Sequence, residues 1–374
     1  MRTAPHASPA DAEAGPGGAV RKGPQGDYGR VVPPLPSDAA SRDVPLRPAA
    51  DLVVPSRAGA RDTPLRADPG VDPRGLALGV GAYLLWGVLP LYFTLLEPAG
   101  AVEIIAHRVV WSVVLCVLLL AVTRGLPALR AAVRSTRTLL TLAAAGALVA
   151  TNWLVYVHGV LTGHTVDAAL GYYINPLVTV ALAVAVLGER LRRAQWWALL
   201  LGGLAVLVIT VGMGRLPWVA LVLAATFATY GLVKHRVGRT VGAVPSLTVE
   251  TAAMTPLALG YLAVLAADER LTLARGGWHA AALVGLGVVT AVPLLAFGGA
   301  ARRLPLSVVG MLQYLAPTLQ FVVALVVFRE PMPAVRWLGF ALVWAALVVF
   351  TVDGVRAGRL ARRATAPGGP VSRR

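Results

Sequence analysis

The chain has 374 residues, 57% of them hydrophobic and only 14% charged, too apolar for an ordinary water-soluble domain of this length. The formal net charge of +16 would suit nucleic acid, but the basic residues fall in short clusters between apolar runs. That pattern marks membrane topology and argues against nucleic acid, while the single cysteine, Cys116, excludes an intrachain disulfide and a cysteine metal site.

Residues 1–70 are rich in Ala, Pro, Gly, Arg and Asp and hold no apolar run long enough to pack or to act as a secretory signal. They are expected to form a disordered cytoplasmic tail. Eight of the eighteen acidic residues lie there, so carboxylates are kept out of the apolar remainder of the chain. From Gly75 onward, runs of about 17–25 mostly apolar residues recur between short polar breaks, the length a helix needs to cross hydrocarbon. There are ten: 75–96, 103–123, 138–161, 168–188, 195–213, 217–233, 247–267, 279–301, 306–328 and 335–352. They are continuously apolar rather than alternating, which favours helices over a barrel. The expected fold is an all-α integral membrane protein with ten transmembrane helices.

One set of alternate loops carries twelve Lys and Arg residues, from Arg124 to Arg303, and the other carries five, Arg215, Arg270, Arg275, Arg329 and Arg336. The richer side is expected to be cytoplasmic, with both termini on that side and a basic tail at 354–374.

The stretch 170–198, LGYYINPLVTVALAVAVLGERLRRAQWWA, has an echo at 311–339, MLQYLAPTLQFVVALVVFREPMPAVRWLG. A shift of 141 positions carries Tyr173 onto Tyr314, Pro176 onto Pro317, Glu189 onto Glu330 and Trp196 onto Trp337. The same shift nearly superposes the five starts of the first half on those of the second. The chain therefore reads as a five-helix unit used twice, 71–214 and 215–353. Five crossings per unit would invert the second copy, as in alternating-access carriers with a substrate site near mid-bilayer.

Candidate site residues are the polar groups inside apolar runs. Tyr172, Asn175, Pro176 and Thr179 share one helical face, beside Tyr173. The repeat carries that face to Gln313, Ala316, Pro317 and Gln320, beside Tyr314. Pro176 and Pro317 are read as helix breaks that leave backbone acceptors to be met by side chains, water or solute. Simple kinks with polar contacts to neighbouring helices would give the same pattern. Glu103, His107 and Arg108, at the start of the second run, would bind a charged substrate or relay a proton; an ion pair near the interface is the competing reading. Asn152, Trp153 and Tyr156 add polar and aromatic groups, each equally compatible with packing. Glu189 and Glu330, at helix ends among arginines, suit salt bridges between loops. Glu250 suits either role.

The chain contains no Walker A loop, H-E-x-x-H, cysteine pair or G-x-S-x-G, so no enzyme chemistry, cofactor or metal is expected, and transport would run on a gradient or downhill.

Seven blocks carry a family resemblance: AYLLWGVLPLYF (82–93), EIIAHRVVWS (103–112), NWLVY (152–156), ALGYYINPLV (169–178), LGERLRRAQW (187–196), VTAVPLLAF (289–297) and LQYLAPTLQF (312–321). In this order they resemble the RarD branch of the drug/metabolite transporter superfamily, which has paired EamA domains and members named chloramphenicol-sensitive proteins. The resemblance spans roughly 75–353. It implies an inner-membrane permease for small organic solutes or drugs, with the lipid bilayer and a small molecule as partners and a homodimer left open. The reading from another class is a non-transporting membrane scaffold or sensor.

Overall fold

A computed structural model describes residues 72–188, 190–237 and 241–365. The expected N-terminal tail and Glu189 lie outside the described residues, as does 366–374 of the basic C-terminal tail. Every regular element among the described residues is helical. In order they are α1 Pro73–Gly87, α2 Leu89–Thr94, α3 Ala101–Val122, α4 Leu126–Arg134, α5 Thr136–Leu161, α6 Thr165–Leu187, α7 Arg193–Met213, α8 Trp218–Val237, α9 Ala243–Ala267, α10 Gly277–Ala301, α11 Leu306–Leu312, α12 Leu315–Val326 and α13 Ala334–Thr365. A 3₁₀ turn, Thr272–Arg275, joins α9 to α10.

Local chemistry sets the ends. Asp72 accepts from the backbone N–H of Arg74 with Pro73 at the first helical position, a favoured way to open a helix. Ser135 caps α5 by accepting from Thr138. Gly188 ends α6 with φ of 66°, left-handed backbone that closes a helix and strains any residue with a Cβ.

Proline acts differently in the two repeats of the 170–198 pattern. Pro317 follows a gap between α11 and α12 at Gln313 and Tyr314, where its ring would meet the carbonyl one turn earlier. Pro176 sits inside α6, which runs unbroken for 23 residues. The break read from sequence at Pro176 is therefore absent: one lost backbone bond is tolerated when ordered turns continue on both sides and other helices cover it.

Among the described residues eight helical stretches are long and apolar enough to span a membrane, α11 and α12 together making one of them. The other two apolar runs fall on α1 with α2, divided at Val88, and on α8, whose apolar stretch Trp218–Lys234 is shorter. The outward surface is itself hydrophobic, with Val122 75%, Val211 73% and Leu257 74% exposed. Water would not tolerate so much apolar surface, whereas lipid favours it, and the protein is a multi-pass membrane protein. Between α3 and α5 the short α4 is amphipathic, burying Ala132 while Arg134 lies in its last turn.

Two cores hold the bundle. One gathers Phe93, Leu96, Ile104, Tyr156, Val157, Leu223, Leu283 and Leu286 from helices of both halves. The other gathers Leu170, Tyr173, Ile174, Ile209, Phe321, Phe340 and Val343 around α6, α7, α12 and α13. Lipid tails compete with apolar side chains, so helix pairing relies on close backbone approach at small residues. Gly287 of α10 faces α3 so tightly that an added Cβ would stand 2.6 Å from the carbonyl oxygen of Trp111, and Gly146 of α5 lies against the backbone of Glu250 in α9 in the same way.

Gly287→Ala should therefore lower the thermal unfolding midpoint in detergent, by the roughly 1–3 kcal/mol typical of overpacking. Gly81→Ala, with nothing within 4 Å of the new methyl group, should leave the midpoint unchanged or raise it; equal behaviour of the two variants would refute the close-approach account.

Candidate functional site

Arg108 lies seven residues into α3, about 10 Å along its axis, and is 5% exposed. Its Nε donates to Thr290 Oγ1 of α10 at 3.0 Å, and its guanidinium carbon stands 3.9 Å from the ring centroid of Trp153 on α5. Tyr156 and Tyr172 are near enough to act on it electrostatically. Among the described residues no carboxylate is within salt-bridge distance of it.

Around this cation three helices are tied by one amide. The Tyr172 hydroxyl of α6 donates to Asn152 Oδ1 of α5 at 3.1 Å. Asn152 Nδ2 in turn donates to the carbonyl of Leu223 at 3.0 Å and to Thr226 Oγ1 at 2.9 Å, both on α8. Gln320 of α12 lies beside the Tyr156 hydroxyl and donates from Nε2 to the backbone carbonyl of Trp86 in α1 at 3.2 Å. Phe93, Tyr156 and Tyr172 meet edge to face, with centroids 5.9 and 5.6 Å apart. Helices of both halves thus converge on one polar centre.

The centre is under-satisfied. The Tyr156 hydroxyl and Gln320 Oε1 are buried without a well-formed hydrogen bond, and so, elsewhere in the bundle, are His107 Nε2, Trp111 Nε1, Ser112 Oγ, Asn175 Nδ2, Thr165 Oγ1 and Arg336 Nε. Buried polar atoms are nearly always paired in folded proteins, so two such atoms beside an unpaired guanidinium make this the candidate place for a polar solute.

Other residues singled out from the sequence lie elsewhere. The Tyr173 hydroxyl meets Thr318 Oγ1 at 2.8 Å and its ring packs on Phe340 and Trp344. Tyr314 belongs to the same second core. Thr179 is exposed and donates to Asn175 Oδ1 at 3.0 Å, and Gln313 is exposed. Of the polar face shared by the two repeats, only Tyr172 and Gln320 reach Arg108's surroundings.

The trio on α3 also divides. Glu103 accepts from the backbone N–H and the hydroxyl of Thr272 at 2.7 and 2.8 Å. His279 Nε2 meets the same hydroxyl at 3.1 Å, and His107 Nε2 stands 4.0 Å from Glu103. This is a buried network binding the start of α3 to the turn between α9 and α10. At the same end, Glu330 accepts from the backbone N–H groups of Thr165 and Val166 at 2.6 and 2.9 Å, capping α6. Nearby Asp167 pairs with Arg336 at 3.2 Å and Arg215 at 3.6 Å. Glu330 is thus a helix cap rather than a partner for the loop arginines.

Glu250 is fully buried and satisfied: Lys234 Nζ reaches it at 2.6 Å, the Ser246 hydroxyl at 2.8 Å and the Tyr230 hydroxyl at 3.1 Å. Sequence reasoning missed Thr290, Thr226, Thr272 and His279, and counted Lys234 only as a topology charge. Thr290 falls in the VTAVPLLAF block, the one signal that could have drawn attention to it.

These features define a multi-helix membrane protein with a polar centre walled by aromatic rings. The model of the EamA-like transporter family matches residues 73–211. Protein RarD of Streptomyces exfoliatus is 50% identical over 77% of this chain and 91% of its own length. A transporter of Vibrio cholerae is 42% identical over 78% and 96%, and Protein RarD of Escherichia coli 38% over 75% and 95%. The chain belongs to the EamA-like transporter family, as a RarD-type protein of the drug/metabolite transporter superfamily.

Lys234→Met would leave Glu250 buried without its cation and should destabilise the protein by about 3–5 kcal/mol, read as a lower unfolding midpoint in detergent. Adding Glu250→Gln should recover most of the loss; a double variant as unstable as the single one would refute the pairing.

Proposed function

We propose that the chain is a gradient-driven carrier of small organic solutes, working by alternating access between two inverted five-helix repeats and exporting its substrate across the inner membrane. On this reading the first repeat spans 71–214 and the second 215–353, ten helices cross the bilayer, and both termini face the cytoplasm. Its substrate site is the polar centre around Arg108, Asn152, Tyr172 and Gln320.

One observation carries the reading. An added Cβ on Gly171 of α6 would stand 2.7 Å from the carbonyl oxygen of Ala220 in α8, and one on Gly79 of α1 would stand 2.7 Å from Leu312 of α11. Shifting by 141 residues turns Gly171 into Leu312 and Gly79 into Ala220, so each contact becomes the other. A two-fold axis between the halves requires this: where one residue touches its neighbour's counterpart, that neighbour must touch the first residue's counterpart. Helix starts support it as well. Thr136, Thr165 and Arg193 precede Gly277, Leu306 and Ala334 by 141 residues each, and Ala101 precedes Ala243 by 142.

The distribution of polar contacts suits a two-state gate. Glu103 with Thr272, Glu330 with the start of α6, and Asp167 with Arg336 are buried links between the halves at one end of the bundle. At the other end, the links between halves are Arg192 with Asp353 and Arg303 with Asp72, whose side chains are more exposed. A carrier held shut on the first side, with a looser second side, has this arrangement.

The direct test compares metabolites in cells with and without the gene, then measures flux of the changed solute in reconstituted vesicles with and without a proton gradient. Tyr172→Leu and Gln320→Leu should each abolish flux while leaving insertion and folding intact; normal flux in both would refute the site. Topology is checked separately in a Cys116→Ala background. Cysteines placed by Ser135→Cys and Asp268→Cys should label from opposite compartments, and labelling from the same side would sink the inverted arrangement.

A further inference from the structure

We infer that the solute carries a single negative charge, a carboxylate on an apolar body, held by Arg108; this rests on the carrier reading above and specifies the substrate class of that same site. A guanidinium presents five N–H donors in a planar fork. Nε is used by Thr290, and no other hydrogen bond from Arg108 is present among the described residues, so the Nη1 and Nη2 edge keeps its donors. That edge has the spacing that matches a carboxylate through two parallel bonds.

Charge sharpens the assignment. A cation inside a membrane bundle is costly unless paired, and among the described residues no carboxylate is within salt-bridge distance of Arg108. Glu103 is turned to Thr272, Glu250 to Lys234 and Asp167 to Arg336. The Trp153 ring lies against the guanidinium face, which attracts the cation but does not neutralise it. A guanidinium with no carboxylate in contact calls for one negative group on the solute. The Thr290 bond and the Trp153 stack orient the fork, and the half-buried rings of Trp153 and Tyr172 offer an apolar wall for the rest of the molecule. Orphaned Tyr156 Oη and Gln320 Oε1 add a hydroxyl and an acceptor for a polar substituent.

The test uses the purified full chain in detergent with benzoate, its uncharged counterpart benzamide, and sulfate, a dianion without an apolar body. Benzoate should raise the unfolding midpoint by several degrees, and benzamide and sulfate should not. Arg108→Met should weaken the apparent benzoate affinity by about 30-fold or more, as expected for loss of one partner of a buried charge pair, while Arg108→Lys retains part of it. The unliganded Arg108→Met protein should unfold no earlier than wild type, which shows that the lost response is not a folding defect. Absence of any benzoate shift, an equal shift from benzamide or sulfate, or an undiminished shift in Arg108→Met overturns the proposal. Vesicle flux separates the two readings: transport of a neutral or cationic solute unaffected by Arg108→Met leaves the carrier standing and removes the anion, whereas benzoate binding without gene-dependent flux of any solute does the reverse.

Discussion

Hydrocarbon offers no hydrogen bonds, and that constraint governs every polar residue in this protein. A backbone or side-chain polar group that crosses the lipid must find its partner inside the chain or remain unsatisfied at a cost of several kcal/mol. The helices answer it for the backbone. For side chains, the answers differ from place to place. The buried carboxylates are engaged: Glu330 by two N–H groups at the start of α6, Asp167 by two arginines, Glu250 by a lysine and two hydroxyls. Around Arg108, one edge of the guanidinium, the Tyr156 hydroxyl and Gln320 Oε1 are left over.

That contrast distinguishes the two regions more clearly than residue type does. Glu250 and Arg108 are both buried ions in membrane helices, and from the sequence alone either could serve transport. Glu250 has both oxygens met by neighbours on its own and the adjacent helix. Arg108 has a hydroxyl, an aromatic face and open donors, with orphaned groups on Tyr156 and Gln320 close by. A saturated network fixes a structure; an unsaturated one leaves something to bind. Asn152 is intermediate: its amide N–H groups are engaged by α8, and that engagement fixes where the Tyr172 hydroxyl stands.

Much of the fold was legible because lipid imposes length. A helix that spans about 30 Å must show about twenty apolar residues, so the runs fall on helices or helix pairs with ends within a few residues, except that α13 continues past its apolar run to Thr365. Arg108, Tyr172 and Gln320 were legible for the opposite reason, since a polar residue stands out in such a run. Their partners were not. Thr290 sits 182 residues from Arg108, and threonine gives little contrast in an apolar helix because its hydroxyl bonds back one turn, here to Leu286 at 2.8 Å. The grouping of Glu103 with Arg108 failed on helix geometry. Five residues turn a helix by about 500° at 3.6 residues per turn, so the two side chains diverge, whereas Glu103 and His107, four apart, stay together. Pro176 and Pro317 show the limit of reading a repeat: the same residue at matched positions breaks one helix and leaves the other whole.

The two glycine contacts related by the 141-residue shift are not equally hard. Against Gly171 stands a carbonyl oxygen of the main chain, which cannot swing aside; against Gly79 stands the tip of a leucine side chain, which can rotate. One seam of the bundle is therefore stiff and the other compliant, so the two would flex unequally. The seam between α1 and α11 would yield before that between α6 and α8, giving the bundle a preferred moving part.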